Sequence, residues 1–283
     1  MPEEPAERKQ LLQSLERGMA VIQIFSRERP ALTLSDVARL TGTTRATARR
    51  ILLTLEQLGH VRSDGRLFSL TPRVLSLGWA YLSSLNLGEV AQPLMEELVE
   101  QTKESCSAAT LDLPDVVYVA RVPTRRIMTI ALGVGSRLPA HATSMGRVLL
   151  AGLPEPELER YLREFPRETF TEFTIVDAGR LREKVAKARE QGFALVDQEL
   201  EIGLRSISAP IRDRNGATIA ALNTSAAAPR ASIRDCLDRF LPALLSTAET
   251  ISRNLPTPPA GRMLDAPPPN GRTAAAARVT ARA

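Results

Sequence analysis

The sequence predicts two domains: a small N-terminal winged helix-turn-helix, mainly α with a β-wing, and a larger C-terminal α+β domain. Three observations carry that expectation. The first 75 residues hold three short helical patterns followed by an alternating hairpin. Near residue 105 the apolar period changes from helical to two-residue alternation. A chain of 283 residues, 43% of them apolar, can also bury more than one core.

In order along the chain, Leu15, Met19, Ile22 and Phe25 recur at helical spacing over 15–25, and Pro30 closes the segment. Met19 and Phe25, with Trp79 further on, read as core residues, contact with a second copy being the alternative. Thr33-Leu34-Ser35-Asp36 is a capping-box variant opening a short helix through Leu40, since the hydroxyl accepts a first-turn amide while the carboxylate reaches back. Gly42 ends it, and Thr43 or Thr44 caps a third helix with Ala48, Ile51, Leu52, Leu55 and Leu58 on its apolar face. Two short helices about a glycine turn are the helix-turn-helix pattern. Residues 61–70 then read as strand, Asp64-Gly65 turn and strand, the wing. Thr71-Pro72 begins a helix with Val74, Leu77 and Tyr81 along one face, a linker over 73–85. Asn86 and Glu89 open the next helix, to Thr102, where Pro93 either kinks it or lies in its first turn.

Beyond it the periodicity gives strands at 105–111, 116–121 and 127–132, helices at 144–151, 155–162 and 181–191, and strands at 194–197, 206–211 and 218–224. Asn215-Gly216 between the last two is a hairpin signal, so the sheet should be largely antiparallel with helices beside it. A closing helix over 232–255 turns Ile233, Leu237, Phe240, Leu244, Ala248 and Ile251 inward, with a kink at Pro242. The domains are thus 11–72, a linker helix 73–85, and 86–255. Residues 256–283, built of Pro, Ala, Arg and Gly, bury too little to offset the entropy of ordering and read as a disordered tail.

Charge divides the same way. Residues 1–75 hold 12 Lys+Arg against 8 Asp+Glu, whereas 76–254 hold 21 against 23. A basic head beside a near-neutral body suits nucleic-acid binding in the first and another task in the second. No apolar run reaches the roughly 18 to 20 residues of a membrane span. Met1-Pro2-Glu3-Glu4 lacks the pattern of a signal peptide, so a cytoplasmic protein with no membrane partner is expected. The two cysteines, Cys106 and Cys236, read as buried structural thiols. His60 and His141 are the only histidines, and no Ser-His-Asp set or metal cluster can be assembled around them, so catalytic residues, metal and cofactor are all expected to be none. His141 anchors its loop or lines a pocket. Gly133-Val134-Gly135 lacks the third glycine of a dinucleotide fingerprint.

In a helix-turn-helix the second helix lies in the major groove with its N-terminal residues on base edges. Those residues are Thr43, Thr44, Arg45 and Thr47, followed by Arg49 and Arg50. Arg45 is placed for a bidentate contact to guanine, and threonines for phosphate or a thymine methyl. Arg49 and Arg50 suit phosphate contacts or packing, and Arg62 and Arg66 on the wing can follow the adjacent backbone. In the second domain, Thr143 or Ser144 caps a helix whose first free amides belong to Ser144, Met145 and Gly146. A helix N-terminus of that kind suits a carboxylate, and Gly146 would let a ligand approach, the alternative being a helix capped against its own domain.

The run Leu15-Glu16-Arg17-Gly18-Met19-Ala20-Val21, the turn Thr41-Gly42-Thr43-Thr44-Arg45 and the helix Arg50-Ile51-Leu52-Leu53-Thr54-Leu55-Glu56-Gln57-Leu58-Gly59 resemble the IclR family of bacterial transcription regulators. So do Gly135-Ser136-Arg137-Leu138-Pro139-Ala140-His141-Ala142-Thr143-Ser144-Met145-Gly146-Arg147, Asp197-Gln198-Glu199 with Gly203, and Ile207-Ser208-Ala209-Pro210-Ile211. The likeness spans residues 11–255, and its Ala-Thr-Ser-Met-Gly-Arg wording is similar to the branch regulating protocatechuate, 4-hydroxybenzoate and β-ketoadipate catabolism. The resemblance implies a GAF-like effector-binding domain, double-stranded operator DNA as partner, and a homodimer or dimer of dimers. It implies a small organic acid, aromatic or dicarboxylic, bound by Ser144 and Met145 as amide donors, Leu138 and Leu204 as apolar wall, Asp197 at the polar rim, and Ser206, Asn223 and Ser225 from late strands. Asn223 departs from a smaller hydroxyl in some relatives. Two rival functions are a small-acid-metabolising enzyme with an incidental helical N-domain, which lacks a nucleophile with an oriented base, and a constitutive DNA-binding oligomer.

Overall fold

The computed structural model describes residues 11–85, 87–124 and 132–255. Asn86, the tail 256–283 and, but for its last residue, the expected strand at 127–132 lie outside these residues. The chain divides between residues 84 and 85 into two compact units.

The first unit runs α1 (Gln13–Gln23), β1 (Ala31–Thr33), α2 (Leu34–Leu40), α3 (Arg45–Gln57), β2 (Val61–Ser63) and β3 (Leu67–Leu70). The capping box forms: Thr33 Oγ1 accepts from the Asp36 amide at 3.2 Å, and Asp36 Oδ2 accepts from the Thr33 amide at 3.3 Å. The Thr33 hydroxyl, with Arg39, holds the Asp36 carboxyl below its ordinary range. Gly42, at φ +63°, takes the left-handed turn before α3, and of the two candidate caps it is Thr44 whose hydroxyl accepts the Thr47 amide. In the wing turn the Asp64 carboxylate accepts the Arg66 and Leu67 amides at 2.9 and 2.7 Å. The three-residue β1 was not expected; it pairs with β3, giving the order β1-β3-β2.

Val21, Leu32, Val37, Ala38, Ala48, Leu52, Leu55 and Val61 form this unit's core, with Phe25 and Ile51 packed against it. Leu15, Met19 and Trp79 do not join it. Only the C-terminal turn of α1 meets the core, leaving Leu15 and Met19 exposed, and Trp79 is 61% exposed. Thr71 donates to the Gly59 carbonyl and accepts from the Arg73 amide. It thereby starts the 3₁₀ turn Pro72–Val74 that leads into α4 (Leu75–Leu85).

The second unit begins with α5 (Leu87–Thr102), and Pro93 stands in its interior rather than its first turn. There follow β4 (Ser105–Asp112), β5 (Asp115–Val122), β6 (Arg137–Pro139), a 3₁₀ turn (Ala140–Ala142), α6 (Ser144–Ala151), α7 (Glu155–Glu164), α8 (Ala178–Gln191), β7 (Ala194–Asp197), β8 (Leu204–Arg212) and β9 (Thr218–Ala227). The strands form one antiparallel sheet in the order β6-β5-β4-β9-β8-β7. The expected hairpin joins β8 and β9 through Gly216 at φ +82°, with Asp213 Oδ1 accepting the Asn215 and Ala217 amides.

The last helix is less regular than its period suggests. Ser232 and Asp235 form a second capping box, and a short turn α9 (Ile233–Asp235) passes into a π-helical turn (Cys236–Phe240) before α10 (Leu241–Asn254). The wide turn shifts the inward register, so that Cys236, Phe240, Leu244, Ala248 and Ile251 are buried while Ile233 is exposed. Pro242, missing its amide, falls in the first turn of α10, directly after the wide turn.

Candidate functional site

In the first unit, Arg45 is the first residue of α3, and Arg45, Arg49 and Arg50 are exposed while Ala48, Leu52 and Leu55 of the same helix are buried. Among the described residues no carboxylate pairs with any of the three. Thr43 shares a 2.9 Å hydroxyl contact with Thr41, while Thr44 and Thr47 bond each other at the cap. On the wing, Arg66 is exposed at the turn, and Arg62 donates to Ser69 Oγ across the β2–β3 pair. Thr43 and Thr44 just before α3, Arg45, Thr47, Arg49 and Arg50 within it, and the two wing arginines thus belong to the start of one helix and the hairpin that follows it.

In the second unit the site follows from which strand positions share a sheet face. Successive strand residues point to opposite faces, so the register fixes the sets. Toward α6 stand Ala109 and Ala221 with Val116, Tyr118 and Leu138, and α6 lays Met145, Val148 and Leu149 over them in one apolar cluster. Tyr118 is buried deeply enough that its phenol is pushed up to about 12. Along the same face the composition then changes: Ser107 pairs with Asn223 and Asn223 with Ser208, while Ser105 pairs with Ser225 and Ser225 with Ser206. Arg121 on β5 lies beside Ser107 and donates to its hydroxyl at 3.1 Å.

This polar layer is largely buried and internally bonded. Ser107 donates its amide to Asn223 Oδ1 at 3.0 Å, and Asn223 Nδ2 donates to Ser225 Oγ at 2.9 Å. From above, the first residue of α6, Ser144, places its hydroxyl 2.8 Å from Ser206 Oγ and 2.6 Å from Ser208 Oγ. Burying so many hydroxyls and an amide contributes little to stability compared with an apolar surface of the same shape. A sheet face that turns polar beneath its covering helix is therefore better explained by recognition than by packing.

Of the residues expected to bind an effector, Ser144, Met145, Leu204, Ser206, Asn223 and Ser225 fall on this face or on the helix turn above it, and Leu138 joins its apolar end. Asp197 does not: it pairs with Arg205, one residue out of phase with Ser206, and so projects from the opposite face. There Arg205 occupies both its oxygens, at 2.7 and 3.3 Å. Two expectations about α6 also change. Thr143 rather than Ser144 is its cap and accepts the Gly146 amide at 3.1 Å, which leaves the Ser144 and Met145 amides as first-turn donors. Gly146 is required by packing, not by a ligand, since a Cβ there would stand 2.0 Å from the Ala140 carbonyl oxygen. The residues missed were Ser105, Ser107, Arg121 and Ser208. Small hydroxyls at alternate positions of two strands were the readable signal, but only the register brings them together.

His141 is buried, its Nε2 lies 2.9 Å from the Glu168 carbonyl and its ring stacks on Phe170. Desolvation holds its imidazole below the ordinary range, and it serves as an anchor for the segment after α7. Cys106 and Cys236 are both buried, and burial pushes both thiols up. Among the described residues no cluster of His, Cys, Asp and Glu is arranged to hold a metal ion. A separate recess of about 350 Å³ opens at the other end of α6, lined by Gly152, Glu155, Arg189, Arg212 and Thr218 among others. Its arginines are already engaged by carbonyls at Ala151, Leu153 and Gly216.

Comparison with known proteins gives a consistent result. Residues 14–65 match the family model of the IclR helix-turn-helix domain, and residues 79–253 that of the bacterial transcriptional regulator IclR C-terminal domain. Over 86% of its length the chain is 43% identical to the Pca regulon regulatory protein of Pseudomonas putida, covering 84% of that protein. A crystal structure of a protein assigned as a transcriptional regulator, from Rhodococcus sp. RHA1, is 52% identical with a TM-score of 0.78, over 87% of this chain and 98% of that one. An IclR homolog from Microbacterium hydrocarbonoxydans, solved in complex with 4-hydroxybenzoate, is 27% identical with a TM-score of 0.75, over 85% of this chain and 99% of that one.

The packing of α6 is open to direct check. Replacing Gly146→Ala should destabilise the second unit by about 1–3 kcal/mol, as overpacking does elsewhere. Chemical denaturation of the purified protein reads this, and an unchanged midpoint would show that the helix has room to shift away from Ala140.

Proposed function

The chain belongs to the IclR family of bacterial transcription regulators, and on that premise we propose that a small organic acid held between the first turn of α6 and the polar layer of the sheet controls its grip on operator DNA. It is a DNA-binding, ligand-sensing regulator of catabolic genes, and its relatives are named as regulators rather than enzymes.

The polar layer is the observation that carries the effector proposal. A carboxylate finds donors in the Ser144 and Met145 amides at the positive end of α6 and a cation in Arg121. Ser206, Ser208, Ser225 and Asn223 suit a hydroxyl or second polar group, and Met145, Leu138 and Leu204 an apolar body. That complement favours acids of the protocatechuate, 4-hydroxybenzoate and β-ketoadipate group, and the Microbacterium relative was solved with 4-hydroxybenzoate bound. Asn223 uses both ends of its amide within the sheet and narrows the floor relative to a serine.

On the DNA side, we assign base reading to Arg45 with Thr43, Thr44 and Thr47, and phosphate contacts to Arg49, Arg50, Arg62 and Arg66. One winged helix reads too few bases for a unique site, so the working form is a homodimer or dimer of dimers on paired half-sites. Exposed Leu15 and Met19 on α1 and Leu75, Leu77 and Trp79 on α4 suit contacts between copies. The functional division is a reading head at 11–72, a linker helix at 73–85 and a sensor at 86–255. No helix among the described residues is long and apolar enough to cross a membrane, and we place the protein with its DNA in the cytoplasm.

Two binding experiments follow. Fluorescence anisotropy on DNA upstream of the regulator's own gene, with and without 4-hydroxybenzoate, protocatechuate and β-ketoadipate, should show one of the acids changing operator affinity at least about fivefold. In Arg121→Gln that acid should bind about tenfold more weakly, while operator affinity without acid stays the same. Specific binding indifferent to all three acids would contradict the effector assignment. Separately, Arg45→Ala should weaken operator binding by about 1–3 kcal/mol and relax one base preference; unchanged affinity and preference would remove Arg45 from the reading surface.

A further inference from the structure

One charged pair in the sensor unit is not accounted for by the effector reading. Arg147, the fourth residue of α6, and Glu199, in the turn between β7 and β8, are both almost wholly buried, with Arg147 Nη2 2.5 Å from Glu199 Oε2. Among the described residues Arg147 Nε has no partner. A buried ion pair with one donor unmet is poorly suited to stabilising a fold, since an apolar pair of similar volume does as well or better. What the pair does is join three segments. Glu199 Oε2 also accepts the Ile175 amide at 3.3 Å, and the Glu199 carbonyl accepts from Thr174 Oγ1 at 2.6 Å. Thr171 Oγ1 donates to the neighbouring Gln198 carbonyl at 2.7 Å. The 168–175 segment returns to the entry of α6 through the His141 and Glu168 contact.

The β7–β8 turn is itself held in one shape. Gln198 adopts φ +61°, a left-handed backbone unusual for a residue with a side chain, and its Oε1 accepts the Gly203 amide at 3.0 Å. Glu199 therefore presents its carboxylate to α6 from a fixed turn, three residues beyond Ser144 along the helix. Ser144 meets Ser206 and Ser208 on β8, the strand that leaves the same turn.

We propose that Arg147 and Glu199 are a positioning pair for the effector site: they hold the first turn of α6 over the polar layer and tie it to the β7–β8 turn and the 168–175 segment. This rests on the site assigned above but not on which acid occupies it. A ligand entering beneath α6 acts on Ser144, and the pair transmits any displacement of that turn to the two segments on the surface of the unit.

The test uses the full chain, as wild type, Glu199→Gln and the double variant Arg147→Met with Glu199→Leu. Amide hydrogen exchange in Glu199→Gln should speed up at least tenfold in both 141–147 and 168–175 while the centres of β4 and β9 keep their protection. Acceleration confined to 198–203, or spread evenly over the unit, would overturn the proposal. The apolar double variant should recover wild-type melting temperature yet bind 4-hydroxybenzoate at least tenfold more weakly. If it recovers both, the pair is only a packing element and the inference falls. Should wild type bind none of the three acids while the exchange pattern appears, the acid assignment fails and the positioning role stands.

Discussion

Everything in the sensor unit follows from how α6 is seated on the six-stranded sheet. Gly146 brings the helix so close to the Ala140 backbone that no side chain fits between them, and Met145, Val148 and Leu149 then fill the apolar half of the face. With its body fixed there, the helix has only one place to put its N-terminus, which is over the serines and the asparagine of β4, β9 and β8. A helix start carries unpaired amides and a partial positive charge. The sheet supplies the hydroxyls of Ser206 and Ser208 directly beneath it, with Arg121 further along the same face beside Ser107. Packing in one half of the layer thus sets the start of α6 directly on the polar half, without any single residue being chemically unusual.

The reading head is organised by a different economy of means. Short elements are held by caps more than by burial: Thr33 and Asp36 open α2, Thr44 opens α3, and Asp64 closes the wing turn. Arg45, Arg49 and Arg50 of α3 take no part in the core, and their cations remain exposed. Exposed arginines without carboxylate partners among the described residues are costly to no one in water and favourable beside a phosphodiester backbone. Family membership and this surface agree on DNA as the partner.

Local chemistry made much of this legible in the sequence. Caps at Thr33 and Thr71 and the hairpin turn at Asn215-Gly216 marked element boundaries, and the helix at 144–151 coincides with α6. Legibility ended where three-dimensional register begins. β1 and β6, of three residues each, are too short to show a period and exist because a neighbouring strand offers an edge. Asp197 was expected at the polar rim of the effector site from the family resemblance, yet strand alternation turns it to the other face. Ile233 was assigned inward by a constant helical period, which the π turn at Cys236–Phe240 interrupts. Arg121, Ser107 and Ser208, separated by up to 101 positions, become one layer only when β4, β5, β8 and β9 pair.

The most direct measurement is a crystal structure of the full chain grown with whichever acid alters operator binding. The account predicts density for that acid beneath the first turn of α6, its carboxylate within hydrogen-bond distance of the Ser144 or Met145 amide or of Arg121, and its body against Met145 and Leu138. Density for the acid in the recess at the other end of α6, with the Ser144, Ser206 and Ser208 contacts unchanged, would contradict it.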